Sequence, residues 1–175
     1  MRTVTTQTVI YEFEELSDEG KKKALDRYRY INVEFDWWDF MYEDAASVGL
    51  KITSFDLDRN RHAKGEFLLP AEEVASKILN EHGPDCETHL TTIRYVGNRA
   101  VLVAKYSEGT EKVTEDNEYE FDQECDELDA EFLKSLLEDY SILLQQECEY
   151  LTSDESIIKT LLANEYEFTV DGRIF

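Results

Sequence analysis

Three features of this sequence predict an α+β fold, in which a small antiparallel sheet packs against several helices, one of them a long C-terminal amphipathic helix. Apolar residues recur at helical spacing over long stretches, most clearly from Leu128 to Leu151. Runs of β-branched and aromatic residues are few and short, so helices outweigh strands. Only 7 Gly and 2 Pro interrupt a chain that is 42% hydrophobic, which gives it the material for a packed core. The length of 175 residues, without repeats or an evident linker, suits one domain spanning 1–175.

The elements follow in order. Residues 7–13 place Val9, Tyr11 and Phe13 on one side of a first strand. Ser17 is set to cap a helix running to about Tyr30. A second helix starts near Asp36, carries Trp37 and Trp38, and stops at Gly49. Strands follow at 50–58 and 65–69, separated by a loop that includes Arg59, Arg61, His62 and Lys64. Pro70 opens a helix with Val74, Ile78 and Leu79 on its apolar face, closed by Gly83. Residues 90–106 read in two ways. They form either a hairpin turning at Gly97-Asn98 or a helix with Ile93, Val96, Ala100, Val103 and Ala104 on one face; helical spacing tips the reading to the helix. An acidic segment at 107–127 reads as a mobile loop or a solvated helix start. The long helix from about Leu128 to Leu151 then buries Phe132, Leu133, Leu136, Leu137, Tyr140, Leu143, Leu144, Cys148 and Leu151. A capping box from Thr152 to Glu155 starts a short helix, and a last strand leads to a turn at Asp171-Gly172.

Charge narrows the partners. Forty acids against 18 bases give a formal charge of −22, most of it in the last 69 residues. Such a surface repels nucleic acid and anionic membranes and attracts basic proteins. Three widely spaced cysteines, Cys86, Cys125 and Cys148, do not read as a disulfide framework and point to a reducing compartment. No signal-peptide core or membrane-length apolar run is present, so a cytoplasmic protein is expected.

The only two tryptophans stand side by side among carboxylates. On a helix Trp37, Met41 and Val48 share a face, with Phe40 on one flank and Trp38, Tyr42 and Ala45 on the other. Two readings stay open. Either both rings are core, or Trp38 and Tyr42 form an exposed aromatic anchor rimmed by Asp39 and Glu43.

Candidates for chemistry are sparse. Asp56, Asp58 and Asn60 begin like a calcium loop, but Arg61 stands where the loop needs glycine. His82, Cys86 and His89 are candidate zinc ligands without an evident fourth. No phosphate-binding loop, nucleophile elbow, HExxH or paired CxxC occurs, and three scattered histidines offer little for acid–base catalysis. No cofactor and no enzymatic activity are expected.

The carboxylates form the more informative pattern. Glu115, Asp116, Glu118, Glu120, Asp122, Glu124, Asp126, Glu127, Asp129 and Glu131 supply ten acids in a 17-residue stretch. An ordered array of this kind imitates the phosphate row of DNA and would dock on the basic cleft of a nucleic-acid enzyme.

The segments YEFEELSDE, DWWDFMYEDAASVGLKITSFDLDR, EFLKSLLEDYSILLQ and NEYEFTVDGR resemble a family of acidic proteins from phages, prophages and other bacterial mobile elements, some labelled antitoxin-like. The similarity covers roughly 8–83 and 128–173, carried most distinctively by WWD and LLEDY. It implies a mobile-element setting and transfers no catalytic residues. Together with the charge it leads to the expectation of a DNA-mimic type protein that binds and blocks a basic host protein, without touching nucleic acid or membrane. The alternative is an antitoxin-like regulator that seals a toxin through the apolar patch at Trp38 and Tyr42.

Overall fold

The computed structural model describes residues 1–3, 7–107 and 115–175, with side chains from residue 117 onward in the last stretch. The fold class is α+β: among the described residues there are six α-helices and two separate two-stranded antiparallel sheets. Backbone proximity divides the chain into two compact units, 1–37 with 146–175, and 38–145.

The first unit is built from both outer segments of the chain. Strand β1 is only Tyr11–Glu12 and gives way to a 3-10 turn at Phe13–Glu15, shorter than the strand expected over 7–13. It pairs with β4, Glu167–Phe168, with Tyr11 opposite Phe168. Helix α1, Asp18–Arg27, begins where Ser17 accepts a hydrogen bond from the Gly20 N–H at 3.2 Å. Helix α6, Asp154–Ala163, is capped by Ser153, not Thr152. The Thr152 hydroxyl is engaged one turn back, donating to the Cys148 carbonyl at 2.7 Å. Phe13, Leu16, Ala24, Ile157, Leu161 and Phe168 form the core of this unit. Gly172 occurs where the sequence places a turn, at φ +71°, and a Cβ there would lie 2.5 Å from the Gly20 carbonyl oxygen. The Asn32 side chain donates to the Leu151 carbonyl and the Ser156 hydroxyl and accepts from Thr160. Those three bonds tie a 3-10 turn at Ile31–Val33 to the helices beside it.

In the second unit, α2 runs from Asp39 to Ser47, three residues later than expected. The Trp37 N–H is taken by the Phe35 carbonyl at 2.8 Å, which closes a tight turn and leaves Trp38 at the N-cap. The helical phase therefore does not extend through Trp37, and the face shared with Met41 and Val48 does not form. Gly49, at φ +89°, ends α2 and abuts the Leu69 side chain. Strands β2, Leu50–Asp56, and β3, His62–Phe67, pair antiparallel, with a bulge near Thr53. Strand β3 starts three residues earlier than expected, because His62, Ala63 and Lys64 pair with Asp56, Phe55 and Ser54. Helix α3, Ala71–Glu81, follows Pro70 and buries Val74, Ala75 and Ile78, as its periodicity predicts.

Residues 90–106 are helical. They belong to α4, Glu87–Ser107. Helix α5 spans Glu115–Leu151, 37 residues, so it starts thirteen residues before the expected Leu128 and takes in the acidic segment from Glu115 onward. Residues 108–114 of that segment lie outside the described residues. Along α5, Phe132, Leu136, Leu137 and Tyr140 join Leu50, Ile52, Val74, Ile78 and Tyr95 in the main core. No helix among the described residues is long and apolar enough to cross a membrane.

Candidate interaction surfaces

The N-terminal half of α5 carries the acidic array on a regular scaffold. Glu115 and Asp116 open the helix, and their side chains lie outside the described ones. At 3.6 residues per turn, Glu118, Asp122 and Asp126 form one row and Glu120, Glu127 and Glu131 a second. Between the rows lie Tyr119, Gln123 and Ala130, all exposed. Two acids are committed elsewhere. Lys105 donates to Glu124 at 2.6 Å, and that bond, with one from Tyr106, holds the Glu124 carboxyl below its ordinary value. Asp129 accepts from the Tyr95 hydroxyl at 2.7 Å and from Arg99 at 3.2 Å, while Arg99 also holds Glu72. Burial, then the bond to Asp129, raises the Tyr95 hydroxyl well above its ordinary value. Among the described residues no cation pairs with Glu118, Glu120, Asp122, Asp126 or Glu127; Glu127 accepts only from the Gln123 amide.

The tryptophan question resolves between its two readings. Trp38 and Tyr42 are both half-buried, set edge-on to Phe55 at 5.4 and 6.3 Å between centroids. Burial lifts the Tyr42 hydroxyl above its ordinary value. Trp37 is half-buried as well, and Asp39 and Glu43 are exposed at the rim as expected. The rings are neither a closed core nor a bare anchor.

A larger apolar surface lies where the sequence points to a helix face and gives no hint that the face is outward. Helix α4 turns Thr88, Thr91, Thr92, Tyr95 and Leu102 inward. Tyr95 stacks on Phe132 at 4.1 Å with the rings 10° from parallel, and this fixes the rotation of the helix. Ile93, Val96, Ala100, Val103 and Ala104 consequently face outward, with Ile93 51% and Val101 71% exposed. A groove of about 570 Å³ between α3 and α4, lined by Ala75, Leu79, Val96, Ala100 and Val103, continues that surface.

The metal candidates do not converge. His82 directs Nδ1 to the Thr88 hydroxyl at 2.7 Å, His89 directs its own Nδ1 to the His82 carbonyl at 3.0 Å, and Cys86 is exposed. Among the described residues no group of three or more His, Cys, Asp or Glu is placed to hold a metal ion. In the 57–61 loop, Asp56 accepts from the Asp58 N–H at 2.8 Å, and Arg61 pairs with Glu138 and Gln145.

Two further acid contacts escaped sequence reading. Tyr140, fully buried, donates to Asp44 at 2.7 Å, and His82 Nε2 lies 3.7 Å from the same carboxylate. Asp139 is buried, with Oδ2 unpartnered, beside Thr91, whose hydroxyl also accepts from Arg94 at 2.8 Å. Its carboxyl is raised above its ordinary value, chiefly by burial. In the folded chain Asp139 thus keeps its proton to a higher pH than in the unfolded chain, and stability falls as pH rises between the two values. Asp139→Asn is expected to stabilise the protein at neutral pH by about 1–2 kcal/mol, with the gain vanishing near pH ~3, below the unfolded value. Urea unfolding at both pH values checks it; a neutral-pH loss would mean that the carboxylate itself is required.

No family model, no curated protein and no solved structure matches this chain.

Proposed function

We propose that the chain is a non-enzymatic interaction protein of phage or mobile-element origin that binds and blocks a basic, nucleic-acid-binding host protein. It does so by offering the α5 carboxylates in place of a phosphate backbone. One observation carries this reading. The ten acids from Glu115 to Glu131 lie on one continuous helix, and the eight not engaged by Lys105 or Arg99 are spread by 1.5 Å per residue over about 24 Å, one per ~3 Å. That linear density falls between a single DNA strand, one charge per about 3.4 Å, and the duplex, one per about 1.7 Å. Fixing the charges before binding lowers the ordering cost and steers a basic partner to the array.

The reading is tested by pull-down from nuclease-treated host lysate, followed by titration of the captured protein. Expected is a basic nucleic-acid-binding protein whose affinity falls steeply with salt and which DNA displaces. A complex indifferent to both salt and DNA would sink it. The alternative, an antitoxin-like regulator sealing a toxin through an apolar patch, draws support from the outer face of α4 instead of Trp38 and Tyr42. It predicts a complex that survives high salt.

A further inference from the structure

The outer face of α4 has four properties that together select an occupant. First, its apolar positions follow a 3-4-3-4 spacing, Leu90, Ile93, Gly97, Ala100 and Ala104, the seam pattern of two helices packed side by side. Second, residues 88–107 contain no Asp or Glu in a chain of charge −22, so the seam of this helix sets no carboxylate of its own against its copy; Glu72 lines one flank of the helix and Glu124, Glu127 and Glu131 the other. Third, sizes are graded along the seam, with Leu90 and Ile93 at one end and Ala100 and Ala104 at the other. Fourth, Gly97 stands exposed in mid-helix, where a Cβ would meet nothing within 4 Å. Glycine there weakens the helix relative to alanine, and nothing in its own chain requires it; close approach of another helix would.

We infer that this face is an interface with a second copy of the chain, the two α4 helices antiparallel about a two-fold axis near Gly97. A two-fold contact must be complementary to itself. The antiparallel arrangement sets Leu90 of one copy over Ala104 of the other, large against small, and Ile93 over the exposed Val101, with Arg94 beside Ala100. It also opposes the helix dipoles favourably. The neighbouring stretch 108–114 has a single apolar side chain larger than alanine, Val113, to offer in its place. The exposed seam presents roughly 500 Å² per copy, so the pair buries about 1,000 Å², the low end of a biological interface. The dimer is therefore of modest affinity. Because each copy carries −22, added salt screens the repulsion and tightens the dimer, the opposite of what binding to a basic partner does.

Sedimentation equilibrium of the full chain from about 1 to about 500 μM, at about 0.05 and about 0.5 M NaCl, reads this directly. Expected is a mass that approaches twice the monomer at high concentration, with several-fold tighter association at the higher salt. Ala104→Glu, an exposed substitution, should weaken association at least tenfold without changing the thermal melt. Gly97→Cys in a Cys86→Ser background should cross-link to a dimer on mild oxidation, whereas Cys at exposed Glu14 should not. A monomer at every concentration, or a dimer untouched by Ala104→Glu and not cross-linked through position 97, would overturn the inference. A monomer whose α4 is protected only by an unrelated protein would do the same.

Discussion

Phe132→Ala is expected to lower the unfolding free energy by about 3–5 kcal/mol, a fifth or more of the stability of a typical domain. Phe132 is 3% exposed and is the ring on which three elements of the second unit meet: Tyr95 of α4 stacks on it at 4.1 Å, and Phe67 of β3 tilts against it at 5.7 Å. Removing the ring leaves a cavity and also frees the Tyr95 ring, whose hydroxyl anchors Asp129 and, through it, Arg99. The loss should therefore exceed that of an isolated core phenylalanine. Urea unfolding checks it, with exposed Val9→Ala as the control, expected to change stability by less than about 0.5 kcal/mol. A loss for Phe132→Ala below about 1 kcal/mol would mean that α4 and α5 are not held together by this stack.

The second large effect concerns binding. Changing Glu118, Glu120, Asp122, Asp126 and Glu127 together to their amides should weaken binding to a captured basic partner at least ~100-fold near 0.1 M salt and flatten its salt dependence by several units of slope. The amides keep shape and remove charge. Because these residues are exposed and pair with no cation among the described residues, the fold should change by only tenths of a kcal/mol, from lost interactions with the helix dipole. Five amide changes at the exposed Glu14, Asp18, Glu34, Asp85 and Glu167 are the matched control and should leave binding nearly intact. Equal losses in both sets would mean that total charge, not the α5 array, governs affinity.

What the sequence revealed depended on whether local signals were decisive. Pro70 with Val74 and Ile78 specified α3, and Ser17 specified the start of α1, because capping and periodicity act within a few residues. The helix over 90–106 was legible from spacing, but the direction of its apolar face was not. That direction is set by Tyr95 meeting Phe132, 37 residues away, while threonines take the inward positions. The tryptophan pair misled for the opposite reason: a good helical pattern from Asp36 was overridden by the turn at Trp37. Of the site, the acid array was visible as composition, and only the helix gave it a spacing. Asp139 and the Tyr140–Asp44 bond had no local signal, since carboxylates abound; burial marks out Asp139, and Asp44, itself exposed, is marked out only by the buried Tyr140 hydroxyl that reaches it.

The pairing of Tyr11 with Phe168 bears on the life of the chain before it is complete. Phe13 and Phe168, whose rings meet edge to face at 5.9 Å, are separated by 155 positions. At 5–20 residues per second, synthesis of the intervening chain takes roughly 8–30 s. Residues 38–145, compact as a unit, can leave the ribosome and fold within that interval. The first 37 residues must wait with Phe13, Leu16 and Tyr28 uncovered until the last strand emerges. The acidic middle of the chain is thus finished early, and the opening segment, with 8 acids against 6 bases, is the part of the nascent protein that stays uncovered longest with little net charge of its own to repel other chains.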